Sequence, residues 1–205
     1  MNQMLQDPQT DTSQADIDRA DNSRPDIMQV ESHPPTDDVP PPGPLHPRFT
    51  KPQRVAFVQS AWHREVVAEC RIAFLDEIEA RHIARDRVDI FEVPGSFEIP
   101  LHAQLLAKTR RYTAIVAAGL VVDGGIYRHE FVSDAVIKAL MDVQLRTEVP
   151  VFSAVLTPQQ FHETQAHVEF FRKHFAVKGI EVAEACANTL LSLERLRGQV
   201  AAGIV

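Results

Sequence analysis

From residue 54 onward, apolar and polar positions alternate between two periods. RVAFVQS (54–60) is short, β-branched and aromatic, and predicts a buried strand. Val66, Cys70, Phe74 and Ile78 then recur at helical spacing between Arg, Glu and Asp, which predicts a helix with one buried stripe. VDIFEV (88–93) predicts a second strand. PGSFEIPLHAQLLAKT (94–109) opens on Pro-Gly and predicts a helix with Leu101, Leu105 and Leu106 inward. YTAIVAAGLVV (112–122) is apolar at nearly every position, as a central strand covered on both faces would be. EFVSDAVIKALMDVQL (130–145) predicts a helix that is apolar around most of its circumference. VPVFSAVL (149–156) predicts a fourth strand. Two further helical stretches follow, the last with Ala183, Cys186, Leu190 and Leu193 on one side.

Strands and helices alternating in this way predict an α/β fold with a parallel sheet covered on both faces. Right-handed crossovers make it a three-layer αβα, flavodoxin-like arrangement of four strands. Ligands in such sheets bind beyond the carboxyl ends of the strands, so the residues after each strand are the candidates for function. Ser60, Ala61, Trp62 and His63 follow the first strand; Pro94, Gly95, Ser96, Phe97 and Glu98 follow the second. Gly124, Gly125, Tyr127, Arg128 and His129 follow the third, and Ser153 and Thr157 lie in or after the fourth. An aromatic plane suits stacking on a flat heterocycle. Ser96 stands at a helix start, where it either caps the helix or leaves free N–H groups for an anion or a carbonyl oxygen. Glu98 equally fits a first-turn charge on the helix dipole.

Composition narrows the picture. The chain has 205 residues and is 44% hydrophobic, enough for one domain with a real core. Residues 1–50 hold three Arg or Lys against nine Asp or Glu, a net −6 of the chain's −7. The near-neutral remainder argues against a nucleic-acid footprint. The acidic part contains SHPPTDDVPPPGPLHPRF and cannot bury enough apolar surface to offset its chain entropy. It reads as a disordered, Pro-rich extension over 1–53, passive or an interaction tail, with the folded domain over 54–205. Cys70 and Cys186 fall on apolar helix faces, which predicts buried thiols rather than a disulfide. No apolar run is long enough for a membrane helix and no signal-peptide pattern opens the chain, so the expectation is a cytoplasmic protein with no membrane partner. There is no HExxH, no clustered Cys/His spacing and no Walker-type glycine loop, and no metal site is expected.

VPGSFEIPL, YTAIVAAGLVVDGGIYRHEFV, PVFSAVLTP and VKGIEVAEA, in that order, resemble the signature segments of 6,7-dimethyl-8-ribityllumazine synthase. The resemblance is to the family's second type, with Trp-His after the first strand and DGGIYRH after the third, and it spans Arg54 to Leu196. It implies an enzyme, a transferase of riboflavin biosynthesis. Its substrates are 5-amino-6-(D-ribitylamino)uracil and 3,4-dihydroxy-2-butanone 4-phosphate, and it uses no cofactor. It implies Trp62 against the pyrimidine ring, Ser96, Phe97 and Glu98 around the ring and ribityl hydroxyls, and Leu120, Val121 and Val122 as the strand edge beside the ring. It further implies Ser153 where the family commonly has Phe, His167 at the position of a phosphate-binding arginine, and Lys178 in the KG element. Arg128 and His129 compete for the proton-shuttle role: counting from the glycine selects Arg128, chemistry selects His129. Ile126 stands where relatives have threonine. Homo-oligomers are implied too, pentamers stacked into a decamer in the second type. A lumazine- or flavin-binding module of low activity, and a generic flavodoxin-like nucleotide or electron-transfer protein, are the alternatives.

Overall fold

In the computed structural model, residues 46–125 and 128–205 are described; the acidic segment 1–45, Ile126 and Tyr127 lie outside them. Four strands, β1 (Val55–Ser60), β2 (Val88–Val93), β3 (Ala114–Leu120) and β4 (Val151–Leu156), form one sheet in the order β2-β1-β3-β4. All three pairings are parallel. The inner strands β1 and β3 are buried at every position, whereas β2 and β4 at the edges are partly exposed. Their unbroken apolar runs follow from this double coverage.

Helices α1 (Arg64–Ala80) and α4 (Gln165–Ala201) cover one face, and α2 (Ile99–Lys108) and α3 (His129–Thr147) cover the other. Val66, Cys70, Phe74 and Ile78 of α1 are buried at their expected spacing, with the Phe57 and Phe74 rings 5.2 Å apart. The sequence predicts two terminal helical stretches; they are one 37-residue helix. Gly179 lies where α4 crosses α1, and a Cβ there would fall 2.3 Å from the Cys70 carbonyl oxygen. The glycine in mid-helix is thus a packing requirement rather than a break.

The expectation for α2 holds for Leu106, which packs partly buried against the core, and fails for Leu101 and Leu105. Ile99, Ala103 and Ala107 face the core, and Leu101 and Leu105 are 60% and 55% exposed. The two alanines let the helix approach the sheet closely, and Leu101 and Leu105 are left outside. On α3, Val136, Leu140 and Val143 are buried, while Phe131, Ile137, Met141 and Leu145 form a second, exposed apolar face.

Arg54 holds the Asp89 carboxylate through two bonds, 2.9 and 2.6 Å, and the Tyr112 hydroxyl donates to it at 2.7 Å. These donors, Arg54 foremost, keep the Asp89 carboxyl below the usual carboxylate range. Cys70 and Cys186 are free and buried, and burial pushes the Cys70 thiol up to about 12. Residues 46–53, assigned to the extension by composition, instead lie on the domain. Phe49 packs against the core, and the Thr50 and Lys51 amides donate to the Glu194 carboxylate at 3.2 and 3.1 Å. Among the described residues no helix is long and apolar enough to cross a membrane.

Candidate active site

The carboxyl ends of β1, β2 and β3 surround a cavity of about 210 Å³. Trp62 and His63 come from the turn after β1, Ser96 and Phe97 from the turn after β2, and Leu120 to Val122 from the end of β3. Gly124, Val132 of α3 and Glu163 of the loop before α4 complete the lining. The turn after β1 is tied to the end of β2: Ala61 donates to the Val93 carbonyl at 2.7 Å and Trp62 to the Pro94 carbonyl at 3.2 Å. Arg64 pairs with Glu92, whose other oxygen accepts from Gln59 at 3.1 Å. His63 adopts a left-handed conformation, φ 53°, uncommon for a residue with a side chain. Its ring lies edge-on to Phe161, centroids 5.2 Å apart.

The Ser96 hydroxyl is buried in the cavity wall and has no hydrogen-bond partner among the described residues. A Cβ on Gly119 would sit 2.3 Å from it, so the bare β3 backbone makes room for this oxygen. Ser96 does not cap a helix. Gly95 precedes the single 3-10 turn Ser96–Glu98, and its N–H donates at 2.9 Å to the Glu98 carboxylate. Glu98 therefore fastens the turn that carries Ser96 and Phe97. A buried unpaired hydroxyl costs free energy unless a ligand or water satisfies it.

Arg128 and His129 part company. Arg128 stands at the N-cap position of α3 without a side-chain cap bond, and its guanidinium carbon lies 4.6 Å from the centroid of the Phe131 ring. His129 is the first residue of α3 and is only 9% exposed. It lines a second cavity of about 300 Å³ with Glu130, Ser133, Thr157, Pro158 and Gln159. The first turn of α3 walls both cavities, through Val132 on one and His129 and Ser133 on the other. Ahead of it, the Asp123 carboxylate accepts from the Gly125 N–H at 2.8 Å while Gly125 takes φ 70°. That is the turn the two glycines serve.

Three expected residues lie apart from the first cavity. Ser153 is mid-strand, opposite Ala117, because β4 runs on to Leu156. It shares a cavity of about 230 Å³ along the β4 edge with Lys178, which pairs with Glu181 at 2.5 Å. His167, in the first turn of α4, lies 5.2 Å from the His162 ring, and its Nδ1 accepts from the His162 N–H at 3.3 Å. Within one chain these side chains do not join Trp62 and Ser96; for Ser153 this departs from the convergence expected of strand ends, and for His167 and Lys178 from the grouping the resemblance implies. Sequence reasoning missed Val132 and Glu163. The rule of strand carboxyl ends pointed to the loop holding Glu163, but no motif singled it out. Among the described residues no group of three or more His, Cys, Asp or Glu side chains is arranged to hold a metal ion.

Residues 52–194 match the family model described as 6,7-dimethyl-8-ribityllumazine synthase. The chain is 82% identical over 164 residues to "6,7-dimethyl-8-ribityllumazine synthase 2" of Bradyrhizobium diazoefficiens, covering 80% of this chain and 98% of that one. It is 70% identical over 160 residues to the protein of the same name from Rhodopseudomonas palustris, 78% of this chain and 87% of that one. With "6,7-dimethyl-8-ribityllumazine synthase" of Rhodococcus erythropolis the identity is 60% over 144 residues, 70% of this chain and 93% of that one.

Proposed function

The chain belongs to the 6,7-dimethyl-8-ribityllumazine synthase family, and from that membership we propose how it carries out the family's condensation. The reaction joins 5-amino-6-(D-ribitylamino)uracil to 3,4-dihydroxy-2-butanone 4-phosphate, the penultimate step of riboflavin biosynthesis. The amine attacks the ketone and an imine forms with loss of water. Phosphate leaves, and the ribityl-bearing nitrogen closes the ring with loss of a second water. Both reactive groups belong to the substrates, so the protein's task is to orient them and move protons.

The observation that carries the assignment of roles is the first cavity: an aromatic plane, an apolar strand edge and one buried hydroxyl without a partner. Trp62 stacks on the pyrimidine, Leu120, Val121 and Val122 flank it, and Ser96 supplies its hydroxyl to the ring or the ribityl chain. Phe97 covers the ring, and Glu98 holds the turn. The butanone phosphate occupies the second cavity, against the N-terminus of α3, whose free N–H groups suit an anion. His129 lines that cavity and serves as the acid–base group; Arg128, one residue away, neutralises the phosphate.

Ser153, Lys178 and His167 act in this scheme across a subunit boundary. The exposed apolar faces of α2 and α3 and the open β4 edge support assembly, with a decamer of two pentamers as the proposed form. Cytoplasmic residence belongs to the same reading, supported by two unpaired, buried thiols. The test is to incubate the purified protein with both substrates and follow the absorbance of new lumazine. Its absence, despite binding of a product analogue, would leave only a binding role.

A further inference from the structure

Gly95 has an extended backbone, φ −136° and ψ 177°, which any residue adopts. Conformation therefore gives no reason for a glycine here. Its surroundings do. A Cβ on Gly95 would lie 3.1 Å from Cε3 and Cζ3 of Trp62 and 3.1 Å from the Glu98 carboxylate oxygen. Favourable carbon–carbon contacts lie at about 3.5–4.0 Å, so neighbouring atoms would have to move. The indole borders the space a Cβ at residue 95 would take, and the Trp62 main-chain N–H donates to the carbonyl of Pro94. The hydrogen bond anchors the backbone from which the side chain departs, and the contact bounds the ring at Cε3 and Cζ3.

Trp62 is 59% exposed, so its other side has room. A methyl group at residue 95 would be relieved by swinging the indole outward and easing the Glu98 carboxylate aside, not by disrupting the core. Gly119 differs in this respect: a Cβ there meets the buried Ser96 hydroxyl at 2.3 Å, with no open side to relieve it.

We propose that Gly95 is a positioning residue, its missing side chain setting the plane on which Trp62 presents its ring to the uracil substrate. The inference rests on the reading of Trp62 as the stacking wall. Stacking of this kind is made in both ground and transition states, so its loss raises KM rather than lowering kcat.

Trp62 is the only tryptophan in the chain, so intrinsic emission reports this one ring. In the ligand-free full-length protein, Gly95→Ala shifts the emission and lowers its anisotropy. In the two-substrate assay the same variant raises KM for the ribitylaminouracil by about fivefold, the scale of one aromatic stacking contact. The kcat and the KM for the butanone phosphate stay close to those of the wild type. In a Trp62→Phe background, where the smaller ring leaves space, Gly95→Ala loses most of its effect on KM. Unchanged emission and unchanged uracil KM in Gly95→Ala overturn the inference, as does an equal loss in both backgrounds. If the wild type itself forms no lumazine, the functional reading fails. The emission of Gly95→Ala then still decides whether residue 95 sets the indole.

Discussion

Arg128 and His129 are adjacent in sequence and opposite in environment. The guanidinium lies over Phe131 at the surface, whereas the imidazole is largely buried at the start of α3 and lines the second cavity with Ser133 and Thr157. An arginine stays charged at every working pH, and an imidazole exchanges protons near neutrality. Both facts favour His129 for proton transfer. His129→Ala is expected to lower turnover by about 10²-fold or more, the scale of general acid–base catalysis, with substrate affinities little changed. Arg128→Ala should chiefly raise KM for the butanone phosphate, and Arg128→Lys should recover only part of that, lacking the planar fork. Near-full turnover in His129→Ala together with its abolition in Arg128→Ala would reverse the assignment. The sequence alone left this pair open because position and chemistry select different residues. Trp62, Ser96 and Phe97 were legible as neighbours because they come soon after strand ends, which topology brings together, whereas Leu120 to Val122 were picked out by the resemblance. The places of Ser153 and Lys178 were not legible. Their places depend on how far β4 continues and on which side of α4 meets it.

At the scale of elements, β1 and β3 were read without ambiguity because double coverage leaves an unbroken apolar run. Helix α2 was misread for the opposite reason. It carries two apolar stripes, Ile99, Ala103 and Ala107 on one side and Leu101 and Leu105 on another. Size suggested that Leu101, Leu105 and Leu106 all go inward, but close packing on the sheet selected Ile99 and the two alanines, with only Leu106 partly inward. Helix α3 repeats the pattern, with Ile137, Met141 and Leu145 left outward. Two neighbouring helices that both withhold large apolar side chains from their own core fit a contact with another copy. Leu105→Glu and Met141→Glu should therefore shift the assembly seen by light scattering toward smaller species. Each should cost the protomer no more than about 0.5 kcal/mol, as expected of surface substitutions. A wild-type chain that is a stable monomer at micromolar concentration would refute the contact. So would a glutamate pair that leaves the assembly intact.

For the molecule as a whole, charge and core are segregated. Residues 1–50 carry −6 of the net −7, and the apolar clusters that hold the sheet begin with Phe49. Composition drew the boundary at residue 54, but the domain takes up the chain earlier, through Phe49 and the Thr50 and Lys51 contacts to Glu194. Two truncations separate these segments. Removal of residues 1–45 should leave melting temperature and turnover nearly unchanged, since nothing in that composition supplies a core. Removal of residues 1–53 also takes away a half-buried aromatic and the donors to Glu194. A loss of about 2–3 kcal/mol is expected, or roughly 5–10 °C in melting temperature for a domain of this size. The second effect should depend on pH. The Thr50 hydroxyl first, then the Thr50 and Lys51 amides, hold the Glu194 carboxyl below its ordinary range. A carboxyl lowered in the folded state stabilises above its unfolded pKa and loses that contribution as pH falls through the folded one. The gap in melting temperature between the 1–45 and 1–53 truncations should accordingly narrow on acidification and stay constant from neutral pH upward. A large drop on removing 1–45 alone would show that the acidic segment contributes to the fold after all.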